Sequence, residues 1–280
     1  MAEKKINYKR LAAQMPLYAP RPPIADEFTR WFDTNSFGKA VLFHVHDYLV
    51  RRKQHVSEDM PTVDERTAYF KEISAADKKH SRSLSVPSSD LTNPWFSFDS
   101  DPSASHPFIF AAKDSMATKT TKAYVSLSPK EITKIPQHFV ELVHCLLDAN
   151  VRFYAKASCL DQARSFAHNL VFYIDQKHAV KARRVLRKFL TEKKLGDGHV
   201  FASRRDVNGL SFVNETEGPD LYVNHVASSS FERVSFHTRV AARMVPHYLE
   251  RIAKAHEKLG NAGEAERFRA EIRRIRAFRA

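Results

Sequence analysis

Between Lys122 and Tyr173 the chain changes from strand to helical hydrophobic period and back, and this limits the folds open to it. Residues 123–128, AYVSLS, alternate with period two and predict a strand. Ile132, Ile135, Phe139, Leu142, Val143 and Leu146 then recur at helical spacing. Residues 151–157, VRFYAKA, and 170–175, LVFYID, read as buried strands. A strand–helix–strand–strand unit can bury the helix's apolar stripe only against its own sheet. The expected class is α+β: an antiparallel or mixed sheet with helices packed on one face, and helical N- and C-terminal extensions.

Local signals mark the ends of these elements. Ser128-Pro129-Lys130-Glu131 reads as a capping box with proline at the first helical position, and Pro136 should kink the helix or delay its start. The helix between Ala179 and Leu195 is expected to stop at Gly196 and Gly198.

The flanks are less regular. Residues 1–30 are basic and then proline-rich, which predicts an extended arm. A helix is expected after Asn35-Ser36, burying Val41, Leu42, Val45, Tyr48 and Leu49, with His44 and His46 too close in sequence to share a face. A second is expected around Val63–Ile73, then a long polar loop pinned by Trp95, Phe96 and Phe98. PFIFAAKDS, 107–115, reads as a strand, as do HVFAS, LSFV and LYVNH between 199 and 225. Helices resume near Phe231 and Arg239, and the last twenty residues form a basic amphipathic helix with Phe268, Ile272 and Ile275 on its packing face. Three regions follow: 1–106, helical and loop; 107–245, the α+β core; and 246–280, basic helices.

Composition narrows the class of partner. The net charge of +13 points to an anionic one, without choosing among nucleic acid, acidic or phosphorylated peptide and membrane surface. No apolar run approaches the roughly 20 residues needed to cross a bilayer, and MAEKKINYKR has no apolar segment behind it to make a secretory signal. Two cysteines are too few for a disulfide framework or a cysteine zinc site, so a reducing cytoplasmic setting is expected. No GxSxG, HExxH or glycine-rich phosphate loop occurs; no metal site and no cofactor are expected.

Side-chain alternation puts Lys122, Tyr124, Ser126 and Ser128 on one face of the first strand, and Arg152, Tyr154 and Lys156 on one face of the second. If those strands are neighbours, a half-buried face carries several cations, and such a face needs an anion. Read singly, each has a plainer role: Lys122 and Arg152 as edge-strand charges, Tyr154 and Tyr173 as core aromatics, Arg164 as a solvated link residue.

The order Lys-x-aromatic on a strand, a helix, a strand ending in Lys, then Arg, then an apolar strand carrying Tyr, resembles the phosphothreonine lyases of bacterial type III effectors. It is similar too to HopA-type effector proteins and to the lyase components of lanthipeptide and thioamitide biosynthesis. The resemblance spans about residues 118–245. It implies Lys156 as general base and Lys122, Arg164 and Tyr173 as phosphate-side residues, with Arg233 and Arg239 as further phosphate-binding arginines. Tyr124 stands where the effector lyases have their acidic histidine, so the acid is Tyr124, His225, or none, the phosphate then leaving as an anion held by arginines.

The implied activity is elimination of phosphate from phosphoserine or phosphothreonine to give dehydroalanine or dehydrobutyrine. A phosphorylated precursor peptide and a separate Ser/Thr kinase are the implied partners. A biosynthetic setting is favoured because no effector leader is evident. The alternatives are an effector acting on host phosphoproteins, or a non-catalytic basic module binding phosphopeptides or RNA; membrane is not an expected partner and nucleic acid is the weaker reading.

Overall fold

The structure is a computed structural model that describes residues 6–15, 32, 37–50, 95–99, 119–158, 167–200, 202–216 and 218–278. The expected helix around Val63–Ile73, the strand at 107–115 and Arg164 lie outside these residues. The chain forms two compact units, Val50–Thr216 and Met1–Leu49 with Glu217–Ala280.

The first unit is built on a six-stranded sheet in the order β1-β3-β4-β2-β6-β5, every pairing antiparallel. Its strands are β1 (Trp95–Asp99), β2 (Lys119–Val125), β3 (Phe153–Ser158), β4 (Leu170–Asp175), β5 (Arg204–Arg205) and β6 (Leu210–Thr216). Two long helices belong to it, α3 (Ile135–Asp148) and α4 (Ala179–Lys193). Ala123, Val125, Phe153, Ala155, Leu170, Phe172 and Ile174 point to one face, where they join Ile135, Phe139, Leu142, Val143 and Leu146 of α3 and Ala182, Leu186, Phe189 and Leu190 of α4 in one core. Antiparallel alternation turns every other side chain of the same strands to the opposite face. The α+β class is therefore as the periodicity predicts.

Several local expectations are met and several are corrected. Pro136 does delay the helix: Pro129–Lys134 form a 3₁₀ turn and α3 starts at Ile135 with proline in its first turn. Ser128 is the N-cap but the capping box does not form: its side chain makes no capping bond, its amide donates to the Leu195 carbonyl at 3.0 Å, and the Glu131 carboxylate meets His138 Nε2 at 2.8 Å. α4 ends at Lys194 in the left-handed conformation rather than at a glycine. Gly196 serves a different need: a Cβ there would lie 2.0 Å from the Asn208 carbonyl oxygen. Residues 95–99 are an edge strand rather than loop, because β3 offers them a ladder that a sequence window does not contain.

The second unit is helical: α1 (Tyr8–Gln14), α2 (Phe37–Val50, whose last residue falls in the sheet unit), α5 (Leu221–Ala227), α6 (Phe236–Lys258) and α7 (Ala262–Arg276). Part of the expected extended arm is thus helix α1, whose N-cap Asn7 accepts a bond from the Arg10 amide. α2 buries Val41, Leu42, Val45 and Leu49 as its spacing requires, and His44 meets the Tyr248 hydroxyl at 3.0 Å. The expected strand LYVNH is helix α5, which Asp220 caps by accepting from Val223 N at 3.1 Å. Phe268, Ile272 and Ile275 of α7 are buried, so the terminal basic helix spends its apolar stripe on packing. Among the described residues no helix is long and apolar enough to cross a membrane, and no group of His, Cys, Asp and Glu could hold a metal.

Candidate functional site

The face of the sheet opposite α3 and α4 carries an unusual load of polar side chains. Thr120, Lys122, Tyr124 and Ser126 from β2 and its end are buried, as are Ser211 and Glu215 from β6. Polar groups pack in such numbers only when they satisfy one another or serve a ligand.

Strand register sets their order. Lys122 lies between Tyr173 of β4 and Val213 of β6, and Tyr154 of β3 continues that row. One step along, Tyr124 lies between Val171 and Ser211, and Lys156 continues that row beyond Val171. Glu215 is the diagonal neighbour of Lys122, within reach of long side chains.

Lys122 is the centre of the cluster. Its ammonium is 3.2 Å from Glu215 Oε2, with side-chain exposures of 8% and 1%. It also hydrogen-bonds the side chains of Tyr173 and Tyr124, and its Nζ lies 4.6 and 5.6 Å from their ring centroids. An ammonium has three N–H donors, and two phenols and a carboxylate surround it here. Burial opposes its charge, but the carboxylate and phenolic oxygens outweigh that and hold its pKa well above the ordinary lysine value. Burial, eased in part by Lys122, pushes the Tyr124 phenol well up. Lys122 is therefore a fixed cation and Tyr124 a neutral donor through the neutral pH range. Phenols that accept from an ammonium keep their own O–H to donate, more strongly polarised than in water.

Lys156 is half-buried, and its Nζ lies 6.0 Å from the Tyr173 ring centroid, so one ring has a lysine amine on each flank. The Tyr154 and Tyr173 rings meet edge to face at 5.8 Å. His168 packs edge to face on Tyr124 at 5.2 Å. Its neighbour Asn169 clasps the strand ends: the side chain accepts from Leu127 N at 2.7 Å, and the carbonyl accepts from Ser158 N at 2.8 Å and Ser158 Oγ at 3.1 Å. The hydroxyls of Ser126 and Ser211, both buried on this face, have no hydrogen-bond partner among the described residues.

The sheet thus brings together Lys122, Tyr124, Lys156 and Tyr173. His225, Arg233 and Arg239 belong to the helical unit. His225 Nε2 pairs with the Arg274 carbonyl at 2.9 Å, and Arg233 is half-buried between α5 and α6. Arg239 bonds the carbonyls of Gly218 at 3.0 Å and Val234 at 3.2 Å and pairs with Asp220 at 3.6 Å, which fixes the chain entering α5 and α6. Lys122, a phosphate-side residue by the resemblance, is buried and paired with Glu215. Tyr124 is only 3% exposed, so it stands behind the half-buried Lys156 and Tyr173. Glu215, His168 and Ser211 escape sequence reasoning; the available signal was a glutamate on the inward parity of LSFVNET, which acquires meaning only beside Lys122.

Fold and site define an α+β chain whose antiparallel sheet carries a lysine–tyrosine–glutamate cluster on the face opposite α3 and α4. No protein-family model matches the chain, and no curated protein matches it. Among solved structures it is similar to the effector protein from Pseudomonas syringae pv. syringae strain 61, at 14% identity and a TM-score of 0.42, over 92% of this chain and 93% of that one. It is similar to the effector protein from Pseudomonas syringae pv. tomato strain DC3000 at 10% identity and a TM-score of 0.39, with the same coverage of each. Likeness at this level establishes neither family nor function.

Proposed function

We propose that the sheet unit is a lyase that eliminates phosphate from phosphoserine or phosphothreonine in a peptide, with Lys156 as the base. The observation that carries the reading is the pair of lysine amines near the Tyr173 ring, Lys122 held as a cation by Glu215 and Lys156 half-buried on β3, beyond β4. A proton acceptor beside fixed positive and phenolic donors suits a reaction that removes a proton and expels an anion.

In the proposed step Lys156 Nζ takes the Cα proton. The C–H electron pair forms the Cα=Cβ bond, and the Cβ–O bond breaks with its electrons leaving on phosphate. The products are a dehydroalanine or dehydrobutyrine peptide and phosphate, and no water is consumed. Tyr173 donates toward the departing oxygen, and Tyr124 stands behind it with Lys122. A precursor peptide phosphorylated by a separate kinase is the proposed substrate; a host phosphoprotein would undergo the same chemistry.

The test is incubation with a phosphoserine peptide followed by mass spectrometry. An unsaturated product supports the lyase, whereas a serine product identifies a phosphatase. Binding without turnover makes the protein a phosphopeptide reader. Lys156→Ala should lower turnover by a factor on the order of 10²–10⁴ with peptide binding retained; full activity in that variant removes the base and the proposal with it.

A further inference from the structure

On the far side of the same sheet, helix α4 offers a surface that the elimination does not use. From Gln176 to Leu195 the chain holds eight lysines and arginines and one carboxylate, Glu192. Ala182, Leu186, Phe189 and Leu190 face the core, which turns Lys181, Arg184 and Lys188 outward along about 10 Å of one helical stripe. Lys188 approaches Glu192 at 3.9 Å, but with both side chains largely exposed that pair offsets little charge.

The flank of α4 extends the patch. Arg183 and Arg187 share a single carboxylate, Asp206, at 2.9 and 4.0 Å. Arg183 also lies over the Phe212 ring at 5.2 Å, and Phe212 is the register partner of Arg204, so Arg204 sits on the α4 side of the sheet. Val180, 73% exposed, adds an apolar contact at the start of the stripe.

We propose that this surface docks an acidic segment of a peptide partner. An extended acidic strand presents carboxylates on one side about every 6.8 Å, and cations about 4.5 and 6.0 Å apart along the helix axis reach successive ones through their long, flexible side chains. A single nucleic-acid strand would call for aromatic platforms, and Phe189, the one aromatic residue of α4, is buried. The surface lies across the sheet from Lys156, so it would hold a segment remote from the reacting residue. It binds whether or not elimination occurs, and the two readings fail separately.

The experiment measures fluorescence anisotropy of a labelled Glu/Gly peptide with the full chain at low and at physiological salt. Saturable binding that weakens with salt is expected. The variant Lys181→Gln/Arg184→Gln/Lys188→Gln should lose about tenfold in affinity while keeping its thermal midpoint. Lys254→Gln, an exposed cation of the helical unit, should change affinity less than about twofold. Equal affinity in the triple variant, no binding at low salt, or tighter binding of a single-stranded oligonucleotide of the same charge would each overturn the assignment.

Discussion

At the residue scale, Lys122 and Glu215 decide how the polar face is held together. Two charges taken this far out of water repay their desolvation only as a pair whose remaining donors are satisfied, and Tyr124 and Tyr173 complete that set. Lys122→Met should therefore cost about 3–5 kcal/mol in urea unfolding, because it strands the Glu215 carboxylate. Lys122→Met/Glu215→Leu should recover most of that loss. A single variant as stable as the parent would mean that Glu215 does not depend on Lys122. Lys122 was legible as a notable residue from its parity with Tyr124 on a strand. Its role was not, since the partner that fixes it lies on a strand more than ninety positions later.

At the element scale, the link from α4 into β6 shows how backbone proximity selects residues. Gly209 has φ +77, and a Cβ there would meet Gly196 Cα at 2.3 Å and the Ser126 carbonyl oxygen at 2.6 Å. Its amide bonds the Gly198 carbonyl at 2.8 Å, and its carbonyl accepts from Ser126 N at 2.8 Å. Gly209→Ala meets both a left-handed backbone and a backbone clash, so it should lower stability by at least about 1–2 kcal/mol and broaden the amide resonances at the β2–β6 end. An alanine variant of parental stability would show that the two chains separate easily. Gly196 and Gly198 read as helix terminators in sequence, whereas Gly196 and Gly209 let two backbones approach more closely than a Cβ would allow. LYVNH fails as a strand for a related reason: Asp220 caps its first turn and Asn224 bonds Phe231 N at 2.8 Å, two local contacts that favour helix over composition.

At the scale of the whole molecule, the buried cluster gives the fold an alkaline limit. Lys122 and Tyr124 have pKa values raised above the ordinary 10.5 and 10.0. The folded chain therefore keeps protons that the unfolded chain releases above about pH 10, and unfolding there sheds protons. Their contribution is complete at neutral pH and is lost as pH rises from about 10 toward the raised values. The urea midpoint should stay level on this account from about pH 7 to 10 and fall beyond, and Tyr124→Phe should reduce the fall. An identical alkaline profile in Tyr124→Phe would show that other groups set the limit.

The sequence by itself determined the α+β class, the helices α3, α4 and α7, the strands β2, β3 and β4, and the parity that groups Lys122 with Tyr124 on one strand and Tyr154 with Lys156 on another. Those features follow from hydrophobic period, which a window of ten to twenty residues contains. Only the tertiary structure decided that β2 lies between β4 and β6, that β1 closes one edge, and that Glu215 meets Lys122. Strand order and diagonal contacts depend on which distant segments share a core, and no local period encodes that choice.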